Sequence, residues 1–256
     1  MAAGLPVETK RFGHTLLITI NRPQARNAVN REVAELISTA LEELSTDPEL
    51  LVGVLAGVGG HFCSGVDLKA LAAEGFPRIG NRGLAGLTRA ELDKPMVAAV
   101  EGYAVSGGCE LALACDLIVA AESAKFALSE VTKGAVPSEG GVQRLLRKLP
   151  RQIAMGMLLT GDPLSAAHAA RYGMVNWLAP DGQAIAAGLE LADQVGRNAP
   201  LAVAAVRQLA RETEGHTEAE AWTVQDRIVK PVLDSEDAKE GVAAFQEKRQ
   251  PVWRGR

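Results

Sequence analysis

Ala98-Ala99-Val100-Glu101-Gly102-Tyr103-Ala104-Val105-Ser106-Gly107-Gly108-Cys109-Glu110-Leu111-Ala112-Leu113-Ala114-Cys115-Asp116 is the stretch on which the reading of the fold turns. A buried apolar run ends in a Gly-rich bend, and the bend opens directly into a helical pattern. A helix that begins at Gly107-Gly108 presents backbone N–H groups without intrahelical partners, together with the positive end of its dipole. That end suits an anion, or an oxygen that gains charge during a reaction. Glycine lets a ligand approach the backbone and permits dihedrals that other residues avoid. Glu110 falls in the first turn, beside that end. The alternative is an ordinary tight turn carrying a solvated Glu that the dipole favours.

Upstream, residues 51–56 form a short, near-continuous apolar strand, as expected when both faces of a sheet are covered. It leads into Gly57-Val58-Gly59-Gly60-His61-Phe62-Cys63-Ser64-Gly65-Val66-Asp67-Leu68, which has the same form: buried strand, glycines, helix start. Two such bends can converge, each supplying one N–H. No fixed-period repeat underlies the similarity. Cys63 and Cys109 have no activating His or Lys nearby in sequence and read as small buried fillers.

Further out, residues 15–20 read as a strand and residues 21–28 as a polar link. Apolar positions from Val33 to Leu44 follow helical spacing behind an Asn30 N-cap, and Thr46-Asp47-Pro48 stops that helix. Residues 72–86 carry four glycines and a proline without periodicity and read as an ordinary surface loop, the alternative being a mobile segment over a binding site. A helix is expected over 87–92 and a strand over 96–100. Beyond the central stretch come a strand over 117–121, a short β-like run over 126–131 and a third bend, Gly134-Ala135-Val136-Pro137-Ser138-Glu139-Gly140-Gly141. Helical patterns follow over 142–148, 151–160 and 165–172, with Gly173 as a C-cap, then a strand over 174–178. From residue 182 onward the pattern is helical: 182–197, 200–214, 217–234 and 235–249. Strand–helix units followed by a helical tail predict an α/β fold. The expected division is a core over 1–195 and a helical subdomain over 196–256 that packs on the main body or on another subunit.

The 256 residues carry a net charge of −4, 47% hydrophobic residues and 4% aromatics, with a mean hydropathy of +0.05. This composition describes a globular chain, and its acidic balance argues against a nucleic-acid partner. No apolar run reaches membrane-spanning length, and residues 1–8 do not read as a secretory signal. Three cysteines without a C-x-x-C fit a reducing, cytoplasmic location rather than a disulfide framework. Four scattered histidines give no metal-ligand spacing, so no metal is expected.

The chemistry-bearing set is the two bends together with Glu110 and Glu130. Neither a Ser-His-Asp pattern nor a phosphate loop is present, and the first bend lacks the G-x-G-x-x-G spacing. Two N–H donors suit a thioester carbonyl that becomes enolate-like, because their hydrogen bonds strengthen as charge develops. Two carboxyls suit addition or removal of water. Two unrelated surface glutamates remain the alternative on spacing alone.

Several segments together resemble the crotonase, or enoyl-CoA hydratase/isomerase, family along nearly the whole chain. They are Asn21-Arg22-Pro23 with Asn27-Ala28, Phe62 to Lys69, Ala98 to Asp116, Phe126 to Glu130, and Pro137 with Gly140-Gly141. The resemblance implies a spiral of ββα units with a C-terminal helical trimerisation region, assembled as a homotrimer or homohexamer. It implies an acyl-CoA thioester substrate, with no cofactor beyond that coenzyme A. The oxyanion-hole donors would be the N–H groups of Ser64 and Gly107. Glu110 would activate water and Glu130 would handle the α-carbon proton, a pairing that resembles hydratases more than isomerases. Ala25, Arg26, Gly65 and Val66 would line the pantetheine. Lys69, and Phe245 and Lys248 of a neighbouring subunit, would contact the nucleotide. Ser138-Glu139 departs from the Gly-Ala common in hydratases and bears on water placement and acyl specificity. The segments over 235–241 and 245–256 look closest to the carnitinyl-CoA dehydratase-like branch. The implied activity is reversible syn hydration of a 2-enoyl-CoA. The alternatives are a carnitinyl-type dehydratase, an isomerase, or a non-catalytic acyl-CoA-binding homologue.

Overall fold

The computed structural model describes residues 4–256; the expectation about the N-terminus rests partly on residues 1–3, outside that range. Strand β1 (Val7–Phe12) pairs antiparallel with β2 (Thr15–Ile20), and helix α1 (Arg31–Thr46) follows. Asn30 caps α1 by accepting from Val33 N–H at 3.1 Å, as its position in the sequence predicts. Val33, Ile37, Leu41 and Leu44 on one face of α1 are fully buried. Each contributes about 1.5–3 kcal/mol over an exposed position. Next come β3 (Val52–Gly57), α2 (Leu68–Glu74), β4 (Met96–Val100), β5 (Tyr103–Val105), α3 (Gly107–Ala114), β6 (Leu117–Ala121) and β7 (Lys125–Ala127). The chain continues through α4 (Gly141–Lys148), α5 (Arg151–Thr160), β8 (Leu164–Ser165), α6 (Ala166–Arg171) and β9 (Trp177–Ala179). Four helices end it: α7 (Ala184–Gly196), α8 (Pro200–Glu212), α9 (Glu218–Leu233) and α10 (Glu236–Glu247).

The strands form a six-stranded sheet in the order β1-β2-β3-β4-β6-β9, parallel except for β1, and a small sheet β5-β7-β8. Alternate residues of the large sheet feed opposite layers. Leu16, Ile18, Leu55, Ala98 and Ile118 belong to the main core, whereas Leu17, Val54, Val97 and Val119 face a second layer with Leu191 and Ala192 of α7. Small residues let α7 approach closely: a Cβ on Gly188 would lie 3.0 Å from that of Ala99.

The central stretch passes from one sheet to the other. β4 belongs to the large sheet, β5 to the small one, and the corner between them is Glu101-Gly102. Gly102 has φ +53°, and a Cβ there would lie 2.1 Å from Gly60 O, so the corner admits glycine alone. Glu101 accepts from Gly182 and Ala184 N–H and caps α7. Asp116, at the far end, accepts from Met96 N–H and from Arg207 of α8.

Several expectations need correction. No helix forms over 87–92. Ala85 and Gly86 are left-handed, and short-range bonds such as Leu87 N–H to Leu84 O close a stack of turns instead. Nor is 72–86 a surface loop: it begins as the end of α2, and Pro77 and Gly83 to Gly86 are buried. The strand expected over 174–178 starts at Trp177, because Met174 and Val175 direct their N–H groups back to Ala169 O. The run over 126–131 leaves the strand at Ala127, and Glu130–Lys133 is a 3-10 turn. β1, β5 and β8 went unread, the first because its side chains beyond Val7 are exposed.

Candidate active site

The two Gly-rich bends meet. Cys63 and Ala104 pair as a parallel bridge, with Cys63 N–H donating to Tyr103 O and Val105 N–H to Cys63 O, each at 3.0 Å. A Cβ on Gly65 would stand 3.0 Å from Gly107 N, and one on Gly108 only 2.1 Å from Cys63 O. Glycine at 108 is thus required for the second bend to sit on the first.

The polar link over 21–28 holds the first bend in place. Asn27 is buried with φ +57°; its side-chain amide donates to Val58 O and His61 O, and its Oδ1 accepts from Arg22 N–H. Arg22 also pairs with Asp67 at 3.0 Å, and Asp67 caps α2. These residues serve as scaffold for the bend.

A cavity of about 520 Å³ opens beside the paired bends, lined by Ser64, Val66, Gly107, Glu110, Glu130 and Ser138 among others. Six of the residues expected from the sequence therefore share one wall. Leu68, Leu71, Phe76, Val105, Ser106, Lys133, Ala135 and Val136 complete it and were not anticipated. The apolar members give a sequence reader no signal that separates them from core. Arg26, Ser64 and Val105 also line an adjoining cavity of about 460 Å³ with His61 and Tyr103. Ala25 lines neither cavity; its carbonyl accepts from the Ser64 hydroxyl at 3.4 Å. Gly65 lies buried under Gly107. Lys69, Phe245 and Lys248 do not line either cavity. Lys69 is on the exposed side of α2, and Phe245 is 85% exposed near the end of α10.

The two expected N–H donors differ. Gly107 N–H, at the start of α3, has no partner among the described residues. Ser64 N–H donates to Arg26 O at 3.1 Å, so it is already engaged. Arg26 is left-handed, with φ +51°, which is what turns its carbonyl toward Ser64. Ser106, just before α3, holds φ +52° without being glycine, a strained conformation of the kind that gathers at functional sites. Its hydroxyl lies 3.2 Å from that of Ser129.

Glu110 is buried, and its Oε1 accepts from Glu139 N–H at 2.7 Å and Gly141 N–H at 2.9 Å. Burial pushes its pKa up to about 7 in spite of those two donors, and the charges of Glu130 and Glu139 push the same way. Burial also raises Glu130, against the pull of Lys133 and Ser106. Glu130 Oε2 is buried without a hydrogen-bond partner. Both carboxyls thus hold a proton more readily than a solvated glutamate, as groups that exchange protons at an active site do. The Cys63 thiol is pushed up to about 12 by burial, so it is not a ready nucleophile.

Ser138 and Glu139 take opposite directions. Ser138 lines the cavity without positive φ, whereas the Glu139 side chain is wholly buried beneath it. Its carboxylate accepts from Leu84 N–H (2.9 Å), Thr88 Oγ1 (2.8 Å), Arg78 Nε (2.5 Å) and Arg89 Nη2 (3.2 Å). Burial alone would raise its pKa; Thr88, Leu84 and Arg78 outweigh that and hold it below the usual carboxylate range. The turns over 77–89, unreadable in the sequence, are ordered around this one side chain.

Comparison with known proteins agrees with this geometry. The profile of the enoyl-CoA hydratase/isomerase family matches residues 13–256. An enoyl-CoA hydratase of Mycobacterium tuberculosis is 42% identical over 254 residues, covering 96% of each chain. A carnitinyl-CoA dehydratase of Salmonella enteritidis is 44% identical over 254 residues, 96% of this chain and 97% of that one. Among solved structures, an enoyl-CoA hydratase of Mycobacterium marinum superposes with a TM-score of 0.96 at 46% identity, covering 99% of this chain and 100% of that one. The converging bends and the two cavity-lining glutamates sit within a match of this length, and the chain belongs to the enoyl-CoA hydratase/isomerase family.

Proposed function

We propose that the protein catalyses reversible syn hydration of a 2-enoyl-CoA thioester. One observation carries the reading: a buried and a half-buried carboxyl, both with raised proton affinity, face a single cavity, at whose wall the N-terminus of α3 presents the Gly107 N–H. The thioester oxygen accepts from Gly107 N–H, and from Ser64 N–H once that group shares its bond to Arg26. As the double bond takes up water the oxygen becomes enolate-like and both bonds strengthen; one such donor is worth about 3–4 kcal/mol in other enzymes. Glu110, with Oε1 fixed by two N–H groups, orients and deprotonates water through its other oxygen. Glu130 passes a proton to the α-carbon. The reverse sequence dehydrates the 3-hydroxyacyl thioester. Water adds without change of oxidation level, so the reaction calls for no redox group, coenzyme A being part of the substrate.

The adjoining cavity at Arg26, His61 and Tyr103 suits the pantetheine arm. Val206, Trp222, Leu233, Val242 and Phe245 form exposed apolar positions on α8–α10, which supports a homotrimer or homohexamer. In that assembly Phe245 and Lys248 of one subunit meet the nucleotide bound to the next. Three free, buried cysteines favour the cytoplasm. Among the described residues no helix is long and apolar enough to cross a membrane.

The test is turnover of crotonyl-CoA in isotopically labelled water by the parent and by Glu110→Gln and Glu130→Gln. Label in the product and a loss of about 10²–10⁴ in kcat for each variant are expected. Double-bond migration without label would make the protein an isomerase, and unchanged hydration by both variants would end the two-glutamate reading.

A further inference from the structure

Arg144 is a charged group that the hydration chemistry leaves unused. It lies half-buried on α4, where its neighbour Arg147 pairs with Glu214 but Arg144 makes no salt bridge among the described residues. A guanidinium withdrawn from water without a carboxylate beside it is unfavourable unless its N–H groups find acceptors. Here both acceptors are backbone carbonyls, from two separate segments. Nη1 donates to Glu139 O at 2.9 Å, on the 137–141 bend, and Nη2 donates to Thr88 O, in the turns over 77–89. The guanidinium fills the space that a side chain at residue 140 would take. A Cβ on Gly140, where φ is +100°, would stand 2.0 Å from Arg144 Nη1. The main chain of Arg144 belongs to the same arrangement, since its N–H donates to Gly140 O at 3.1 Å. Arg144 therefore grips the carbonyls of residues 139 and 140, and the N–H groups of residues 139 and 141 are the two that hold Glu110 Oε1. Burial lowers the proton affinity of the guanidinium, and the Glu110 carboxylate is the first charge that offsets this.

Resting on the hydratase reading above for the role of Glu110, we propose that Arg144 is a positioning residue for hydration. Its guanidinium pins the main chain of the 137–141 bend, so that the Glu139 and Gly141 N–H groups meet on one Glu110 oxygen and the other oxygen is aimed at water. A planar fork with donors on two nitrogens spans two carbonyls at a fixed angle, which an ammonium on a flexible stem does not. The Glu139 carboxylate ties the bend to the 77–89 turns through a side chain; Arg144 holds the main chain itself, from the α4 side. Without that grip the two N–H groups part and the aim of Glu110 is lost. A displacement of about 1 Å costs about 10²-fold in rate in other enzymes.

The experiment measures hydration of crotonyl-CoA and α-proton exchange of a saturated acyl-CoA side by side in the parent, Arg144→Met and Arg144→Lys. Methionine keeps an apolar stem and removes every donor, whereas lysine keeps the charge and reaches one carbonyl. For Arg144→Met, kcat for hydration is expected to fall by about 10–100-fold, with KM and exchange within about threefold of the parent. Arg144→Lys should fall less. A merely structural role would lower exchange and hydration together. A second arm follows the Glu110 carboxyl by carbon-13 NMR in glutamate-labelled protein, with Glu110→Gln assigning the signal. Its titration is expected to move to higher pH in Arg144→Met, because the charged form loses a nearby cation and two ordered donors. Glu130, Glu139 and Cys109 also face Glu110 and are the same in both proteins. Hydration at the parental rate in both variants, exchange lost as far as hydration, or an unmoved Glu110 titration overturns the proposal. If circular dichroism shows Arg144→Met unfolded, Arg144→Lys carries the same comparison. Should the parent leave crotonyl-CoA unhydrated while the Glu110 titration still moves, the hydratase reading fails and the hold of Arg144 on Glu110 stands.

Discussion

Glu110 and Glu130 look into one cavity from opposite kinds of surroundings. Glu110 sits on α3 with one oxygen clasped by two backbone N–H groups from the 137–141 bend. That bend is anchored from below by the buried Glu139, which gathers four donors. Glu130 lies at the start of a 3-10 turn, and one of its oxygens is buried with no partner. Its neighbours are a strained serine and an exposed lysine. Burial raises the proton affinity of both, so pKa alone does not assign their roles. The difference in restraint does. A carboxyl held at one oxygen presents the other in a fixed direction, which is what aiming a water molecule requires. A carboxyl with an unpartnered oxygen gives up and accepts a proton without breaking a bond to the protein.

The sharpest way to break this division of labour is to read two steps separately. In deuterated water, exchange at the α-carbon of a saturated acyl-CoA reports the proton transfer, and hydration of an enoyl-CoA reports both steps. Glu130→Gln is expected to lose exchange and hydration together, each by about 10²–10⁴. Glu110→Gln keeps its two N–H bonds, because an amide oxygen accepts them too, and is expected to lose hydration while retaining much of the exchange. Equal loss of exchange in both variants would show that the two carboxyls act as one unit.

The restrained side also carries stability. Glu139→Ala leaves the Thr88 hydroxyl buried without its acceptor, while Leu84 N–H keeps its bond to Thr88 Oγ1 at 2.8 Å. Arg78 and Arg89 are 41% and 52% exposed and can turn to water, which limits their share of the penalty. The expected cost is about 2–3 kcal/mol in urea unfolding, together with a fall in kcat larger than any change in KM. Glu139→Gln is expected to cost less and to restore most of kcat, since its backbone N–H to Glu110 is unaffected. An alanine variant as stable and as active as the parent would detach the buried side chain from the active site.

How much of this could be read beforehand follows from how each part is encoded. The strand–bend–helix at 98–116 was legible because short apolar runs, glycines and a helical period are local signals. Its partnership with the first bend was legible only as a possibility, and the resemblance gave it direction. The segment over 77–89 was misread because its order is long-range: Leu84 and Thr88 are fixed by a carboxylate 55 and 51 residues away. No local pattern announces such a contact. Ser64 N–H was expected free, and the left-handed Arg26 that engages it is a dihedral choice that composition does not reveal. Lys133 and Phe76 were invisible for a plainer reason, since a lone lysine and a lone aromatic have no periodicity to mark them.

The two sides should also respond to pH in opposite windows. Glu110 has its pKa raised from 4.5 to about 7, so the folded state holds a proton that the unfolded state has released. Its contribution to stability therefore falls as pH rises from 4.5 through about 7. Glu139 is held below its usual value, so its contribution is present above that value and is lost on acidification. In urea titrations, Glu110→Gln should gain on the parent as pH rises across the first window. Glu139→Gln should lose its disadvantage as pH falls below the second. Kinetically, Glu139→Gln removes a negative charge that helps raise Glu110, so the acid limb of kcat/KM should move to lower pH by a fraction of a unit. An unmoved limb would assign it to Glu130 instead.

The smallest expected effect tests the looser side. Ser106 holds a positive φ, a conformation that costs a non-glycine residue about 1–3 kcal/mol. Replacing it by glycine removes that strain but adds freedom to the unfolded chain worth about 0.4–1 kcal/mol. Ser106→Gly should therefore be more stable than the parent by about 1 kcal/mol, provided the hydroxyl contact to Ser129 contributes little. The same substitution removes a hydroxyl that helps to keep Glu130 ionisable. With that hydroxyl gone, the Glu130 pKa rises further, and α-proton exchange should change several-fold while the response of Glu110 to pH stays where it was. A variant that gains stability and loses exchange would show that the strain is retained for the proton-transferring carboxyl. One that gains stability with exchange intact would leave Glu130 to work unassisted, and the contrast between the two carboxyls would rest on the Glu110 cage alone.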